Sequence, residues 1–332
     1  MIFLPWADAW QDALYGESGF YRGDGPGAHF TTATHGGFGA ALADALVHLS
    51  RREGLTRIVD LGAGRGELLG HLHRADPTLA LTGVDIVARP EGLPGPVEWL
   101  TTPGGQALPS GLRGLTGTLV VAHEWLDVVP CPVAEVDGSS TLRVVLVDPA
   151  TGEETLGEAL AGADLLWAHR FWAVPAARGR AGAGCRIEIG RPRDAVWDEL
   201  LTRIDSGLAL AVDYGHVAGS RPPEGTLTAY RHGCQVAPVP DGRCDITAHV
   251  AVDSLTHDEL VQQRAALQDL GLTGHRPADE LAHSDPAAYL AALTRASHEA
   301  ALIARGGFGD FWWVMARRAL PTGQAGARTR RS

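Results

Sequence analysis

The chain has 332 residues, of which 45% are hydrophobic and 20% charged, a composition typical of a globular protein with a large core. Its formal net charge of -11 argues against nucleic acid as the main partner, because nucleic-acid-binding proteins usually present a basic face. The four cysteines are widely spaced without a CxxC pair, which argues against a zinc or disulfide framework. No segment has the about 18 uninterrupted apolar residues of a membrane span, which argues against a membrane anchor.

The first part of the chain combines an irregular stretch with a helix. Up to about Gly39 the sequence is rich in Gly, Tyr, Thr and His without a sustained period, which predicts loop with one short helix. Apolar residues at near-helical spacing then predict a helix from Phe38 to Leu49, and Gly54 supplies its stop.

Short apolar runs alternate with helical patterns in the next part of the chain. The predicted buried strands are Arg57–Leu61, Leu79–Val84, Val97–Leu100, Thr118–Ala122 and Leu208–Val212. Helical spacing follows the first run, from Glu67 to Arg74, and precedes the last, from Asp194. Residues Thr141–Val147 alternate like an exposed strand that forms half of a hairpin. Strands alternating with helices predict a parallel, doubly wound sheet.

The last third of the chain returns to the sheet after a long irregular stretch. Past Gly215 the sequence is loop-rich to about Thr247, then predicts helices over 257–270 and 286–303 and a last strand over 311–316. The polar, basic tail reads as disordered. The predicted parts are a lid segment and helix (1–55), a sheet core (56–216) with a hairpin and helix inserted near 131–195, a C-terminal loop and helical part (217–320) and a tail (321–332).

A glycine-rich turn joins the first predicted strand to its helix. Gly62, Gly64 and Gly66 leave the amide groups at the helix start free to receive a polar ligand. Asp85 closes the second strand about 20 residues on, where a carboxylate can accept hydrogen bonds from both ribose hydroxyls. Asp60 would repel a pyrophosphate but stabilise the ammonium and sulfonium groups of S-adenosylmethionine (SAM). The loop therefore favours SAM as cofactor, the alternative being that both acids are solvated at strand ends.

Three polar residues, His123, Glu124 and Asp127, follow the fourth predicted strand. In a doubly wound sheet this end faces the ligand crevice, so a histidine and two carboxylates there can orient a nucleophile or take its proton. Carboxylates can also clamp the planar fork of a guanidinium and aim its lone pair at a methyl group. The alternatives are that Glu124 and Asp127 cap the next helix and that His123 is a packed histidine.

Five long motifs, spread from Tyr15 to about Arg317, carry a resemblance to a known family. They are GFYRGDGPGAHFTTAT from Gly19, VDLGAGRGELL from Val59, VVAHEWLDVVP from Val120, GLALAVDYG from Gly207, and GTLTAYRHG with CDITAHV up to Val250. The sequence resembles the MidA methyltransferases, the family that includes the mitochondrial assembly factor for respiratory complex I. The resemblance implies a methyltransferase Rossmann sheet with a helical addition, and methyl transfer to the side-chain nitrogens of an arginine in a partner protein.

The resemblance also assigns a donor site. The family's donor-loop positions fall on Asp60 and the three loop glycines, and its acid after the second strand falls on Asp85. Thr31 and Thr32 match threonines that look like a lid over the donor, although ordinary loop capping by their hydroxyls is an alternative.

The acceptor side of the resemblance is carried by residues from three segments. Glu124 and Asp127 match the family's acids after the fourth strand, and we assign them, with His123, to catalysis. Asp213 and Tyr214 match the motif after the fifth strand and His249 a later one, and we assign these three to substrate binding.

Several positions depart from the family pattern. His29 and His123 stand where the family has aspartate and asparagine, and Thr34 where it has proline. Val87 and Ala88 replace a serine and a proline after the second strand. Because we expect His29 and His123 to face the reacting centre, the resemblance supports donor binding but leaves the acceptor open.

These observations predict an α/β protein of the class I methyltransferase type, located in the cytoplasm, with a protein substrate and with no metal, nucleic acid or membrane partner. The leading hypothesis is an arginine N-methyltransferase in which the glycine loop and Asp85 hold SAM while Glu124 and Asp127 position the acceptor. The alternatives are a small-molecule O- or N-methyltransferase, a SAM-binding assembly factor without turnover, and a nicotinamide oxidoreductase, whose GxGxxG spacing the loop lacks. A homodimer is compatible with the sequence, which does not determine the oligomeric state.

Overall fold

The computed structural model describes residues 2–23, 33–172 and 182–319. The strands are β1 (Leu4–Pro5), β2 (Arg57–Leu61), β3 (Ala80–Asp85), β4 (Glu98–Thr101), β5 (Thr118–His123), β6 (Val133–Val136), β7 (Leu142–Val147), β8 (Glu154–Ala159), β9 (Arg186–Glu188), β10 (Gly207–Asp213), β11 (Gly215–His216), β12 (Thr228–Arg231), β13 (Cys234–Val236), β14 (Asp245–Thr247), β15 (Val250–Ala251), β16 (Glu259–Gln262) and β17 (Trp312–Arg318).

The helices of the described ranges cover the sheets and connect their strands. They are α1 (Trp6–Tyr15), α2 (Gly36–Arg52), α3 (Glu67–Ala75), α4 (Gly162–Phe171), α5 (Arg191–Thr202), α6 (Gln263–Asp269), α7 (Asp279–Ser284) and α8 (Pro286–Ile303). Within those ranges, no helix combines the length and the apolar character needed to cross a membrane.

A seven-stranded sheet forms the centre of the fold, in the order β16-β17-β10-β5-β2-β3-β4. The five strands from β10 to β4 run parallel, and β17 is antiparallel to both of its neighbours. From β2 the chain first proceeds outward to β3 and β4, then returns to place β5 on the other side of β2. This reversal opens a crevice beyond the carboxyl ends of β2 and β5, the usual ligand site of doubly wound sheets. The predicted doubly wound, mostly parallel sheet is confirmed.

Both faces of this sheet are buried, which explains the near-continuous apolar runs of its central strands. Along β5, Leu119 and Val121 pack with α2, α3, α6 and α8, whereas Val120 and Ala122 pack on the opposite face with α5. Each fully buried leucine or valine side chain stabilises the fold by about 1.5–3 kcal/mol. The crevice therefore lies at the ends of strands that are buried on both faces.

A second, antiparallel sheet has the order β1-β7-β6-β9, with β8 paired to β7. Helix α1 packs against it through Trp6, Trp10 and Leu14, and the indole nitrogen of Trp10 donates a hydrogen bond to the carbonyl of Ile246 at 2.9 Å. This packing brings the end of α1, with Tyr15, to the crevice of the central sheet.

Most predicted elements are confirmed, including β2, β3, β4, β5, β10, β17 and the helices α2, α3, α5 and α8. The strand and hairpin predicted at residues 141–147 are confirmed, although β7 lies inside the second sheet and not at an exposed edge. Two predictions are wrong in part: the stretch 215–247 contains four short strands, and the predicted helix 257–270 begins with β16, which pairs with β17. Pairing with other strands rather than local propensity decides such short segments. The tail from Pro321 lies outside the described residues.

Candidate functional site

The crevice at the carboxyl ends of β2, β3 and β5 encloses about 1200 Å³ of empty space, including the part open to solvent. Its walls combine the glycine loop with acidic and aromatic side chains from four segments. The residues on which its chemistry depends are Tyr15, Tyr21, Asp60, Gly62, Gly64, Glu67, Asp85, His123 and Glu124.

The glycine loop is shaped by three left-handed residues, Gly62, Gly64 and Gly66, with φ of 78°, 57° and 78°. A Cβ on Gly66 would lie 2.4 Å from Cδ2 of Leu93, and one on Gly62 would lie 3.1 Å from Cδ1 of Trp125. Glycine therefore satisfies both the backbone conformation and the close packing. The turn leads directly into α3 and leaves the crevice open above its first residues.

Asp85 ends β3 and is held against the loop by backbone amides. Its Oδ2 accepts a hydrogen bond from the amide of Gly64 at 2.8 Å, and its Oδ1 accepts one from the amide of Val87 at 3.2 Å. Burial raises the pKa of Asp85, and these amides oppose the rise because they stabilise the carboxylate. The carboxylate is thus fixed at the crevice wall with acceptor capacity left for a ligand hydroxyl.

Asp60 lies at the end of β2 and is 3% exposed. Burial, followed by the charges of Asp85 and Glu67, raises its pKa to about 7. Mutually repelling carboxylates around one crevice are stabilised by a cationic ligand, and SAM carries both an ammonium and a sulfonium. The acids and the glycine loop together fit SAM. Its ribose would face Asp85, and its positive charges would face Asp60.

Glu124 has two unusual features. Its backbone has a φ of 50°, which a side chain other than glycine rarely adopts and which is often found at functional sites. Burial raises the pKa of Glu124 to about 8, and the charges of Asp127 and Asp245 add to this rise. A hydrogen bond with the backbone of Ala33 opposes it. Within the described part of the chain its Oε1 accepts no hydrogen bond. A buried carboxylate oxygen that accepts no hydrogen bond from the described residues is a candidate acceptor for a ligand.

His123 lies beside Glu124, with its Nδ1 3.4 Å from Oε1 but without the alignment of a hydrogen bond. Burial lowers the pKa of His123 to about 4, so the imidazole is neutral at physiological pH. Its ring centre is 6.2 Å from that of Phe311. The neutral ring of His123 therefore lies between the crevice and the ring of Phe311.

Asp127 and Asp213 lie behind Glu124 and not on the crevice surface. The Oδ2 of Asp213 accepts hydrogen bonds from the amides of Leu126 and Asp127 at 3.0 and 3.2 Å. The Oδ2 of Asp127 accepts a hydrogen bond from the hydroxyl of Thr247 at 2.6 Å and another from the hydroxyl of Tyr214. Burial raises the pKa of both acids. They are 3% and 1% exposed, so in this structure they support the segment that carries Glu124 rather than reach the crevice themselves.

A buried arginine that sequence reasoning missed holds this network together. Arg193 of α5 is 1% exposed, and its guanidinium donates hydrogen bonds to the backbone carbonyls of Asp127, Val129, Ala248 and His249. It therefore ties the segment after β5 to the segment after β14. Nothing in the local sequence distinguishes it from a surface arginine of an amphipathic helix.

The other predicted site residues fall into two groups. Tyr214 and His249 line a separate pocket on the far side of His123. Thr31 and Thr32, like His29, lie outside the described residues. Their predicted roles stay predictions, as do those of the crevice residues.

No cluster of three or more His, Cys, Asp or Glu side chains that could hold a metal is found in the described ranges.

Two tyrosines were missed as wall residues. The hydroxyl of Tyr15 donates a hydrogen bond to the carbonyl of Val128 at 3.0 Å, and that of Tyr21 donates one to Asp245 at 2.6 Å. The signal that could have found Tyr21 is its position within the motif GFYRGD.

Comparisons with known proteins identify a family and a shared fold. Residues 71–273 match the model of a family described as S-adenosyl-L-methionine-dependent methyltransferases. No curated protein matches the chain. An uncharacterised protein of Burkholderia thailandensis superposes with a TM-score of 0.72 and 24% identity, covering 96% of this chain and 88% of the other. A second structure from that organism, bound to S-adenosylhomocysteine, has a TM-score of 0.72 and 23% identity, covering 96% of this chain and 89% of the other. At these identities the likeness shows the shared fold.

Proposed function

The chain belongs to the family of S-adenosyl-L-methionine-dependent methyltransferases whose model it matches, and we propose that it methylates a side-chain nitrogen of arginine in a partner protein. The observation that supports this acceptor is the buried carboxyl of Glu124 on the crevice wall, whose Oε1 accepts no hydrogen bond from the described residues. A guanidinium carries five N–H donors and keeps its charge, so it can pair with a carboxylate oxygen that has no other donor. The MidA resemblance supports the same acceptor.

When bound, SAM supplies a methyl group on a positively charged sulfur. We place its ribose at Asp85 and its ammonium at Asp60, which brings negative potential to the donor's positive end. The Burkholderia thailandensis protein has the same fold and is bound to S-adenosylhomocysteine, which supports the proposal that this fold binds SAM in the present chain.

In the proposed reaction, an arginine nitrogen forms a bond to the methyl carbon while the carbon–sulfur bond breaks and its electron pair stays on sulfur. The guanidinium loses one proton for each methyl group that it gains, and the carboxylate of Glu124 accepts it. Most of the acceleration comes from alignment, because a guanidinium clamped by a carboxylate points its nitrogen along one direction. His123 contributes an uncharged, water-excluding wall.

Replacing Asp85 by alanine is expected to weaken SAM binding about 10- to 100-fold, because charge-assisted hydrogen bonds to the ribose are lost together with the support of Gly64. Isothermal titration of the purified full chain measures the affinity, and a thermal melt confirms that the variant is folded. Asp269→Ala removes a surface carboxylate and is the matched control. Equal affinity of D85A and wild type would place the ribose elsewhere.

The acceptor is tested by incubating the purified protein with SAM labelled in its methyl group and a host lysate. The labelled band is hydrolysed, and its modified amino acids are separated. Label in N-methylarginine supports the proposal. Label in another amino acid or in the small-molecule fraction contradicts it, the latter in favour of a small-molecule methyltransferase. Tight SAM binding without any transfer also contradicts it and favours an assembly factor.

A further inference from the structure

Two tyrosine side chains form part of the wall of the crevice. Tyr15, at the end of α1, and Tyr21, six residues later, line the same cavity as Glu124. Their ring centroids are 5.5 Å apart, and their planes are inclined at 38° to each other. We call these two residues the tyrosine wall. Neither of them takes part in the donor binding or the proton transfer proposed above.

The tyrosine wall is held in place by contacts behind its rings. The hydroxyl of Tyr15 donates a hydrogen bond to the carbonyl of Val128 at 3.0 Å, and that of Tyr21 donates one to Oδ1 of Asp245 at 2.6 Å. A Cβ on Gly104 would lie 2.2 Å from Cδ1 of Tyr15, so the loop after β4 packs directly on that ring. Because both hydroxyl protons are donated within the protein, the rings offer a ligand mainly their carbon surface.

The tyrosine wall lies in a region of negative potential. Burial raises the pKa of both tyrosines well above its usual value, and the charge of Asp245 adds to the rise. Burial also raises the pKa of Glu124, and the charges of Asp127 and Asp245 add to that rise. Asp245, which holds Tyr21, therefore lies within electrostatic range of Glu124 as well. Because the face of an aromatic ring attracts cations, a cation between Tyr21 and Glu124 would be stabilised from both sides.

The charged cationic side chains of the crevice belong to its donor end. Among the described lining residues, the groups that can carry a positive charge are His35, Arg65 and His123. His35 lies 3.6 Å from Glu67 at the start of α3, and Arg65 is an exposed residue of the glycine loop. Burial lowers the pKa of His123 to about 4, so this ring is neutral. Arg22 follows Tyr21 in the chain, but it donates hydrogen bonds to the carbonyls of Tyr15 and Gly16 and does not line the crevice.

We propose that Tyr21 selects the acceptor, with the guanidinium of the target arginine lying flat against its ring while Glu124 pairs with the N–H groups at the edge of the same guanidinium. This inference rests on the proposed function, and it names the residue that distinguishes arginine from other nucleophiles. A guanidinium is planar, so one face can stack on a ring while its N–H groups point at a carboxylate. A lysine ammonium is a compact, strongly hydrated charge without such a face. Tyr21 therefore favours arginine over lysine.

The test uses the full-length protein saturated with S-adenosylhomocysteine and three small probes, the Nα-acetyl amides of arginine, lysine and citrulline. Ligand-observed NMR measures their affinities for wild type, for Tyr21→Leu, which removes the ring, and for the matched control Tyr21→Phe, which keeps it. We expect the arginine probe to bind more tightly than the other two. We expect Y21L to weaken the arginine probe about 3- to 30-fold and Y21F to keep it within about twofold of wild type, because stacking needs the ring and not the hydroxyl.

A thermal melt and titration of S-adenosylhomocysteine show whether each variant keeps its fold and donor site. Tyr21→Met, which also lacks a ring, replaces Y21L if that variant is unfolded. An arginine affinity of the ringless variant equal to wild type overturns the inference, and so do equal losses in Y21L and Y21F. A lysine or citrulline probe that binds wild type as tightly as the arginine probe overturns it too. Weaker binding of SAM alone, with the arginine probe unaffected, would place the sulfonium at the ring and also overturn it.

These binding measurements need no methyl transfer, so they are distinguishable from failure of the proposed function. Methylarginine formed in the lysate, together with an arginine probe that is insensitive to Y21L, contradicts only the role of Tyr21. Label on another residue type, together with Y21L-sensitive binding of the arginine probe, contradicts the arginine acceptor and leaves Tyr21 as a residue that binds a guanidinium.

Discussion

Replacing Glu124 by glutamine is expected to lower kcat/KM for methyl transfer about 100- to 1,000-fold and to leave SAM affinity nearly unchanged. The amide keeps the size of the side chain but can neither balance the charge of a guanidinium nor accept its proton. Transfer to the labelled acceptor under single-turnover conditions measures the loss, and isothermal titration measures donor binding. A variant that transfers methyl groups at the wild-type rate would remove Glu124 from the mechanism.

The pH profile provides an independent readout of the same residue. Because the pKa of Glu124 is raised to about 8, its carboxyl is mostly protonated at neutral pH in the free enzyme, and only the ionised form clamps a cation. We expect kcat/KM to fall about tenfold per pH unit below that pKa and to level off above it. Asp60 and Asp245, with pKa values of about 7, also titrate in this range, so the difference between wild type and E124Q isolates Glu124.

Replacing Arg193 by methionine is expected to lower the free energy of unfolding by about 3–5 kcal/mol, because four buried carbonyl contacts lose their donor at once. Lysine keeps the charge but cannot reproduce the planar fork, so R193K is expected to lose a large part of the same stability. Denaturant unfolding followed by tryptophan fluorescence measures both variants.

The control for Arg193 is Arg74→Met, which removes an arginine that contacts His71 on the exposed surface of α3. Its expected effect is within about 0.5 kcal/mol. If R193M unfolded at the same denaturant concentration as R74M, the buried guanidinium would not be holding the segments of Asp127 and His249 together.

The parallel core could be predicted because its signals are local. The run Arg57–Leu61, the glycines that follow it and the acids at the ends of β2 and β3 are all readable within about 30 residues, the size of one strand–helix–strand unit. Parallel strands of a doubly wound sheet bring their carboxyl ends to one edge, so Asp60, Asp85 and Glu124 were expected in one crevice. The structure places all three on its walls.

The sequence by itself thus determined the core strands, their parallel arrangement and the place of the crevice and its acids, since strand periodicity and glycine conformation depend on neighbouring residues. Only the tertiary structure decided that Asp127 and Asp213 lie behind Glu124, that Arg193 joins their segments, and that Tyr214 faces a second pocket. Those contacts link residues between 55 and 120 positions apart. No local pattern encodes such pairings, because they depend on how whole layers pack.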